Sequence, residues 1–182
     1  QPLHLGREAE ERTVKQLDQE GQLQGLRYLY FSTHGLLGGE LLNYYPDRLM
    51  PELKAEPALA LTLTGEPPPN DGFLTMSEVL KLNLNTDWAI LSACNTAGKT
   101  ASRGEGFVGL TRAFLYAGAR RLLVSHWYVE SSATRDLMIH TFDAAGKTGD
   151  LAEGARSARR ALRDQPATAH PYFWAPFVVV GD

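Results

Sequence analysis

Short apolar runs alternate with longer segments of helical periodicity along most of this chain. Apolar residues three or four positions apart indicate an amphipathic helix, and a short continuous apolar run indicates a buried strand. The runs that predict strands cover residues 26–33, 88–92, 121–125 and 174–180, and the segments that predict helices cover residues 8–17, 107–116, 133–145 and 151–163. A further helix is expected to begin at Thr75, because Glu78 completes a capping box there. This alternation predicts a three-layer α/β sandwich around a mostly parallel sheet.

Residues 36–70 interrupt the alternation with a long irregular segment. Its prolines, three of them in a row at positions 67–69, break any regular helix or central strand. Within this segment, residues 58–64 alternate leucine with alanine or threonine, which predicts a half-buried strand. A surface excursion is the simplest interpretation, although loops of this length are often functional.

Two of the predicted strands lead into residues that can do chemistry. The run 88–92 leads to Cys94, the only cysteine of the chain, and the run 26–33 leads to His34. Because ligands bind at the carboxyl ends of strands in open α/β sheets, we expect the thiol and the imidazole to meet just beyond these strand ends. Such a pair is the minimum apparatus for catalysis by a thiol nucleophile. The alternative is that Cys94 is a small buried hydrophobe, which is the commoner role of a lone cysteine.

Six segments occur in a fixed order over nearly the whole chain. They are Ser-Thr-His-Gly at 32–35, Asp-Gly-Phe-Leu-Thr at 71–75, Leu-Ser-Ala-Cys-Asn-Thr at 91–96, Gly-Glu-Gly at 104–106, the stretch from Trp127 to Thr134, and His-Pro-Tyr-Phe-Trp-Ala-Pro-Phe at 170–177. Together they resemble the motifs of the CHAT domain, a protease module related to caspases and separases. The resemblance implies a caspase-like three-layer α/β/α sandwich and a cysteine endopeptidase that cleaves a protein substrate.

The same resemblance bears on domain organisation. Residues 1–182 are interpreted as the C-terminal portion of a CHAT domain, so the sheet is expected to lack upstream strands or to borrow them from another chain. CHAT modules often follow tetratricopeptide-type repeats. We therefore expect control of the cleft by a regulatory partner or by an attached upstream repeat domain.

The roles within the expected site follow from thiol chemistry and from the resemblance. Cys94 is the candidate nucleophile, and His34 is the candidate base for the thiol and acid for the departing amine. The resemblance to caspases implies an oxyanion hole made by the backbone amides of Gly35 and Cys94.

Four further residues are candidates for substrate binding. Glu105 and Glu130 are acids that could hold a cationic side chain, although each equally fits an ordinary helix-start carboxylate. Trp127 could flank the substrate or pack in the core. Ser92 stands where relatives that cut after basic residues carry an acid, so we expect no strict requirement for arginine or lysine before the cut.

Composition agrees with one packed globular domain and limits the kinds of partner that the chain is expected to bind. Hydrophobic residues make up 43% and charged residues 21% of the 182 residues. A formal net charge of −3 gives no electrostatic reason to expect nucleic acid. No apolar run approaches the ~20 residues that span a bilayer, no signal peptide is visible, and one cysteine permits no internal disulfide. We therefore expect a cytoplasmic protein, and the residue spacings predict neither a metal site nor a cofactor.

Two alternatives to the protease remain open from the sequence. The chain could be a catalytically inactive CHAT-fold scaffold that binds partners, or a cysteine hydrolase of small amides. The arginines at positions 156, 159, 160 and 163 could also form a phosphate-binding helix face, but a solvated face is the commoner meaning of such a run.

Overall fold

The computed structural model describes residues 3–37, 56–65, 69–93, 104–127 and 130–181. Its helices are α1 (Glu11–Gln19), α2 (Met76–Val79), α3 (Gly104–Tyr116), α4 (Ser131–Thr148), α5 (Leu151–Arg163) and α6 (Pro171–Trp174), and a 3-10 turn at Gly6–Glu8 precedes α1. Its strands are β1 (Tyr28–Leu36), β2 (Ala58–Ala60), β3 (Phe73–Thr75), β4 (Thr86–Ala93), β5 (Ala119–Ser125) and β6 (Phe177–Gly181). Each helix that the periodicity predicts is present, and the Thr75–Glu78 capping box closes reciprocally at the start of α2.

The six described strands form one sheet in the order β3-β2-β1-β4-β5-β6. The three central strands are parallel, with Tyr28 opposite Trp88 and Leu91 opposite Val124. β2 and β6 run antiparallel to their neighbours, and β3 runs antiparallel to β2, so β1, β3, β4 and β5 share one direction. A mostly parallel sheet with the connections of an α/β protein is therefore confirmed.

Helices cover the central sheet on both faces, because its strands are apolar on both sides. In β4, Ala89 and Leu91 belong to the core shared with α1 and α3, whereas Trp88 and Ile90 belong to the core shared with α4 and α5. This alternation is the reason that β4 is a continuous apolar run. The three-layer α/β/α sandwich is confirmed.

The α4–α5 pair packs with little space between the two backbones. A Cβ atom placed on Gly154 of α5 would lie 2.4 Å from the carbonyl oxygen of Thr141 in α4. Gly154 is buried, and its backbone is not in a left-handed conformation, so close approach is what favours glycine here.

Two strand boundaries near the expected site differ from the prediction. The sequence predicts an end at Thr33, but β1 continues to Leu36 because β2 pairs with it beyond the last β4 pair. The prediction that His34 lies beyond its strand is therefore wrong. β2 ends at Ala60 instead of residue 64. The amide of Leu61 still bonds to the carbonyl of Gly72 beside β3, but the amide of Thr62 bonds to the carbonyl of Ala9, outside the sheet.

The predicted C-terminal strand is also shorter than expected. His170 caps a helical turn, and Pro171 occupies the first position of that turn. Proline is favoured there because it has no N–H to satisfy and its φ angle already suits a helix. Trp174 therefore ends α6, and the strand begins only at Phe177.

Candidate functional site

The carboxyl ends of the parallel strands form one edge of the sheet, where the predicted site should lie. The last described pair between β1 and β4 is Thr33 with Ala93. These are the residues that precede His34 and Cys94 in the sequence. Cys94 itself lies outside the described residues. The register thus brings the two chain positions that lead into the predicted dyad side by side.

His34 is exposed at this edge and is held by strand pairing on its other side. It lies opposite Ala60 of β2. The hydroxyl of Thr33 donates a hydrogen bond to the carbonyl of that same Ala60. This side-chain bond ties β1 to β2 directly before His34, at the point where β1 leaves β4. An imidazole there is open to solvent.

Gly35 continues β1 opposite Leu59 and is buried. It therefore lies next to the candidate base, with its neighbour Leu59 in the core on the α1 and α3 side of the sheet. Its proposed role in an oxyanion hole requires a backbone amide near the reacting carbonyl.

Ser92 and Glu105 are placed less favourably for direct contact with a substrate. Ser92 is only 7% exposed in β4, where it lies opposite the exposed Ser32 of β1. The backbone of Glu105 is in the first turn of α3, and its side chain lies outside the described part.

Trp127 follows β5 and is hydrogen-bonded to the C-terminal segment. Its indole Nε1 donates to the carbonyl of Tyr172 at 3.2 Å, and the amide of His126 donates to the carbonyl of Pro176 at 2.9 Å. Trp127 is half-buried and is absent from the buried core clusters of the described residues. It therefore lies at the surface of the carboxyl edge, where the β5 end and α6 meet.

Glu130 is the N-cap of α4. Its carboxylate accepts hydrogen bonds from the amides of Ser132 and Ala133, both at 2.9 Å, and from the hydroxyl of Ser132. These bonds, the Ser132 hydroxyl first, lower the pKa of Glu130 to about 2. The group is a helix-start carboxylate, as one of the two sequence interpretations expects.

Replacing Glu130 by alanine is expected to lower the Tm at neutral pH, because two helix amides lose their acceptor. The folded pKa lies below the ordinary value of 4.5, so this stabilisation is present above pH 4.5 and is lost as pH falls through about 2. The Tm values of wild type and Glu130→Ala should therefore converge on acidification. The Tm difference between Glu130→Gln and Glu130→Ala should show no such convergence. Equal Tm values at neutral pH would contradict the capping role.

Some contributions to this edge carry no clear sequence signal. The Thr33 hydroxyl bond and the carbonyl of Tyr172 both depend on chain segments that are far apart in sequence. Two of the four arginines of α5, by contrast, are exposed in ion pairs with neighbouring acids: Arg156 pairs with Glu153 at 2.9 Å, and Arg163 pairs with Asp164 at 2.9 Å. These exposed pairs support the solvated interpretation.

Fold and edge together define a class: an α/β/α sandwich of the caspase-like kind, with its candidate site at the carboxyl ends of β1, β4 and β5. The CHAT domain family model matches residues 1–182, and the chain belongs to this caspase-like family. It is also similar to tetratricopeptide repeat protein 28 of Homo sapiens, with 34% identity over 116 residues, and of Mus musculus, with 33% over 116 residues. Each match covers 63% of this chain, and the chain spans about 5% of the length of these relatives.

Two further properties concern the residues that the structure describes. No helix among them has the length and apolar character needed to cross a membrane. In the same ranges, no group of three or more histidine, aspartate or glutamate side chains is arranged to hold a metal ion.

Proposed function

We propose that this chain is a cysteine endopeptidase that cleaves a protein substrate through Cys94 and His34. One observation carries the proposal: Thr33 pairs with Ala93, directly before His34 and Cys94. The two residues of the proposed dyad, His34 and Cys94, each come directly after one member of this pair in the sequence. The imidazole of His34 is also exposed. Membership of a caspase-like family supports the same assignment.

The chemistry assigns each group a defined step. A thiol with an ordinary pKa of ~8.5 is mostly protonated at neutral pH, so His34 takes the proton of Cys94. The Cys94 sulfur then attacks the peptide carbonyl carbon while the amides of Gly35 and Cys94 stabilise the oxyanion. The C–N bond breaks as His34 protonates the departing amine, and water hydrolyses the resulting thioester.

Substrate selectivity is proposed to rest on the rim of this edge. Trp127 would contact the substrate chain, and its bond to the Tyr172 carbonyl would hold the indole in place. Ser92 brings no charge to this edge of the sheet, which favours a protease without a strict requirement for arginine or lysine. Glu105 and Glu130 remain candidates for contacting cationic substrate groups. For Glu130 the α4 cap already uses both oxygens.

Control by a regulatory partner or by an attached repeat domain is part of the proposal. The named relatives are tetratricopeptide repeat proteins of which this chain matches a small part, and this supports an attached upstream repeat domain. We also propose a cytoplasmic location, because a reducing compartment keeps the Cys94 thiol usable.

The test is a search for new protein N-termini by mass spectrometry after incubating a cell lysate with the protein. Wild type is expected to generate a defined set of cleavages, and the matched Cys94→Ala variant none of them. Sites preceded only by arginine or lysine would contradict the selectivity. An identical set from both proteins would exclude Cys94 as the nucleophile. Partner binding without cleavage would instead favour the scaffold.

A further inference from the structure

A charged cluster joins α1 to the turn before β3 and to α2. The Nζ of Lys15 lies 2.5 Å from Glu11 Oε1 and 2.6 Å from Glu78 Oε1, and it also donates to the carbonyl of Pro69. Glu11 Oε2 accepts a hydrogen bond from the amide of Gly72 at 2.8 Å. The cluster therefore connects parts of the chain that are some sixty residues apart in sequence.

Acids outnumber bases in this cluster. The charged groups that act on Glu11 are Lys15 on the same helix and Glu78 on α2. Asp71 directly precedes Gly72, whose amide binds Glu11, and the Glu11 carboxyl acts on Asp71. Three carboxylates and one ammonium would carry a net charge of −2 if all were ionised. Glu11 is only 1% exposed. Burying an excess of like charges is costly, so one carboxyl is expected to hold a proton.

Asp71 indicates where that proton resides. Its Oδ1 accepts from the amide of Phe73 at 3.0 Å, whereas its Oδ2 is buried and has no donor among the residues that the structure describes. The neighbouring group is the carboxyl of Glu11. Two carboxyl groups form a hydrogen bond only when one of them is protonated, because an ionised carboxylate is an acceptor alone.

We propose that Glu11 and Asp71 share one proton, and that this proton makes the cluster a pH-sensitive latch between α1 and the β3–α2 unit. Burial, together with the negative charge of Glu78, raises the pKa of Glu11 to about 7, although the hydrogen bond from Lys15 acts in the opposite direction. Burial also raises the pKa of Asp71. Burial acts in the same direction on Glu78, but bonds from Lys15 and Thr75 outweigh it and leave its pKa below the ordinary range.

The direction of the pH effect follows from the Glu11 carboxyl. In a released α1 this group would titrate near its ordinary value of 4.5, and in the docked helix it titrates at about 7. Docking is therefore strongest below pH 4.5 and weakens as pH rises through about 7. Between these two pH values the equilibrium constant for docking falls by up to about tenfold per pH unit. Glu78 acts in the opposite sense, but only at pH values below 4.5, since its folded pKa is lowered.

The latch also supports the strand that carries His34. β3 pairs with β2, and β2 pairs with residues 34–36 of β1. Loosening α1 and the turn at Gly72 would remove contacts on the outer side of this three-strand group. The docking of α1 does not depend on catalysis.

Amide hydrogen exchange by NMR tests the latch in the folded protein between pH 5 and 8, after correction for intrinsic exchange. The reporters are the amides of Gly72, which bonds Glu11, and of Val14 within α1. In wild type their protection should fall on the order of tenfold or more between pH 5 and 7. Glu11→Gln should remove this dependence, because its neutral amide can donate to Asp71 at any pH. The exposed Glu8 provides the control, and Glu8→Gln should keep the wild-type profile.

Asp71→Asn is the second variant, and it retains the oxygen that accepts from the amide of Phe73. It should reduce the pH dependence, because the new amide can donate to an ionised Glu11 carboxylate and so oppose the effect of burial on its pKa. A flat wild-type profile would overturn the proposal. So would a wild-type profile that persists in both variants.

Discussion

Replacing His34 by alanine is expected to slow the alkylation of Cys94 by iodoacetamide about tenfold at pH 7. An unassisted thiol is only a few per cent thiolate at this pH, so a base that ionises it can raise reactivity by roughly that factor. Turnover of a peptide substrate should fall further, by about 10²- to 10⁴-fold, because His34 also protonates the departing amine. His34 is exposed at the sheet edge, so the Tm should change little.

His126 supplies the matched control for this experiment. It is a second exposed histidine at the carboxyl edge, directly after β5, and its described hydrogen bond is made by the backbone. His126→Ala should leave both alkylation and turnover near the wild-type values. If His34→Ala alkylates as fast as wild type, His34 is not the base. If Cys94 reacts only after denaturation, the thiol belongs to the core and the mechanism fails.

Replacing Gly154 by alanine is expected to destabilise the fold by about 1–3 kcal/mol, whereas the same change at Gly146 should stabilise it by up to about 1 kcal/mol. Both glycines lie within helices, so each gains the helix propensity of alanine. At Gly154 the new Cβ would lie 2.4 Å from the Thr141 carbonyl oxygen, a backbone atom that cannot turn away. At Gly146 no atom lies within 4 Å of the new Cβ.

Thermal unfolding distinguishes the two variants by sign. A change of 1 kcal/mol shifts the Tm of a chain this size by about 2–4 °C, so the variants should fall on opposite sides of wild type. Gly154→Ala with a Tm equal to or above the wild-type value would contradict the close α4–α5 packing. A lower Tm for Gly146→Ala would show that this exposed position makes contacts absent from the structure.

Much of the architecture is predictable from the chain because it is encoded within single elements. Leu151–Arg163 forms a helix with the predicted bounds, since its apolar period and its Asp150 cap are local. β4 can be predicted from the sequence because both of its faces are buried, which makes it a continuous apolar run. The capping box of Thr75 and Glu78 predicts the start of α2. Element type depends on such short-range terms, and these are present in any window of sequence.

The surroundings of the candidate site depended on contacts between distant segments. Whether β1 stops at Thr33 or continues past His34 is decided by its pairing with β2, which no local pattern of β1 contains. The α6 turn is placed against Trp127 by a bond to a backbone carbonyl, a group that every residue carries. Glu11 and Lys15 look like an ordinary surface pair at i and i+4, and only the docking of α1 buries Glu11 and brings the pair beside Asp71 and Glu78. The sequence by itself thus determined which segments are helices and strands and which residues can do chemistry, whereas burial, charge crowding and strand neighbours arose only when the elements packed together.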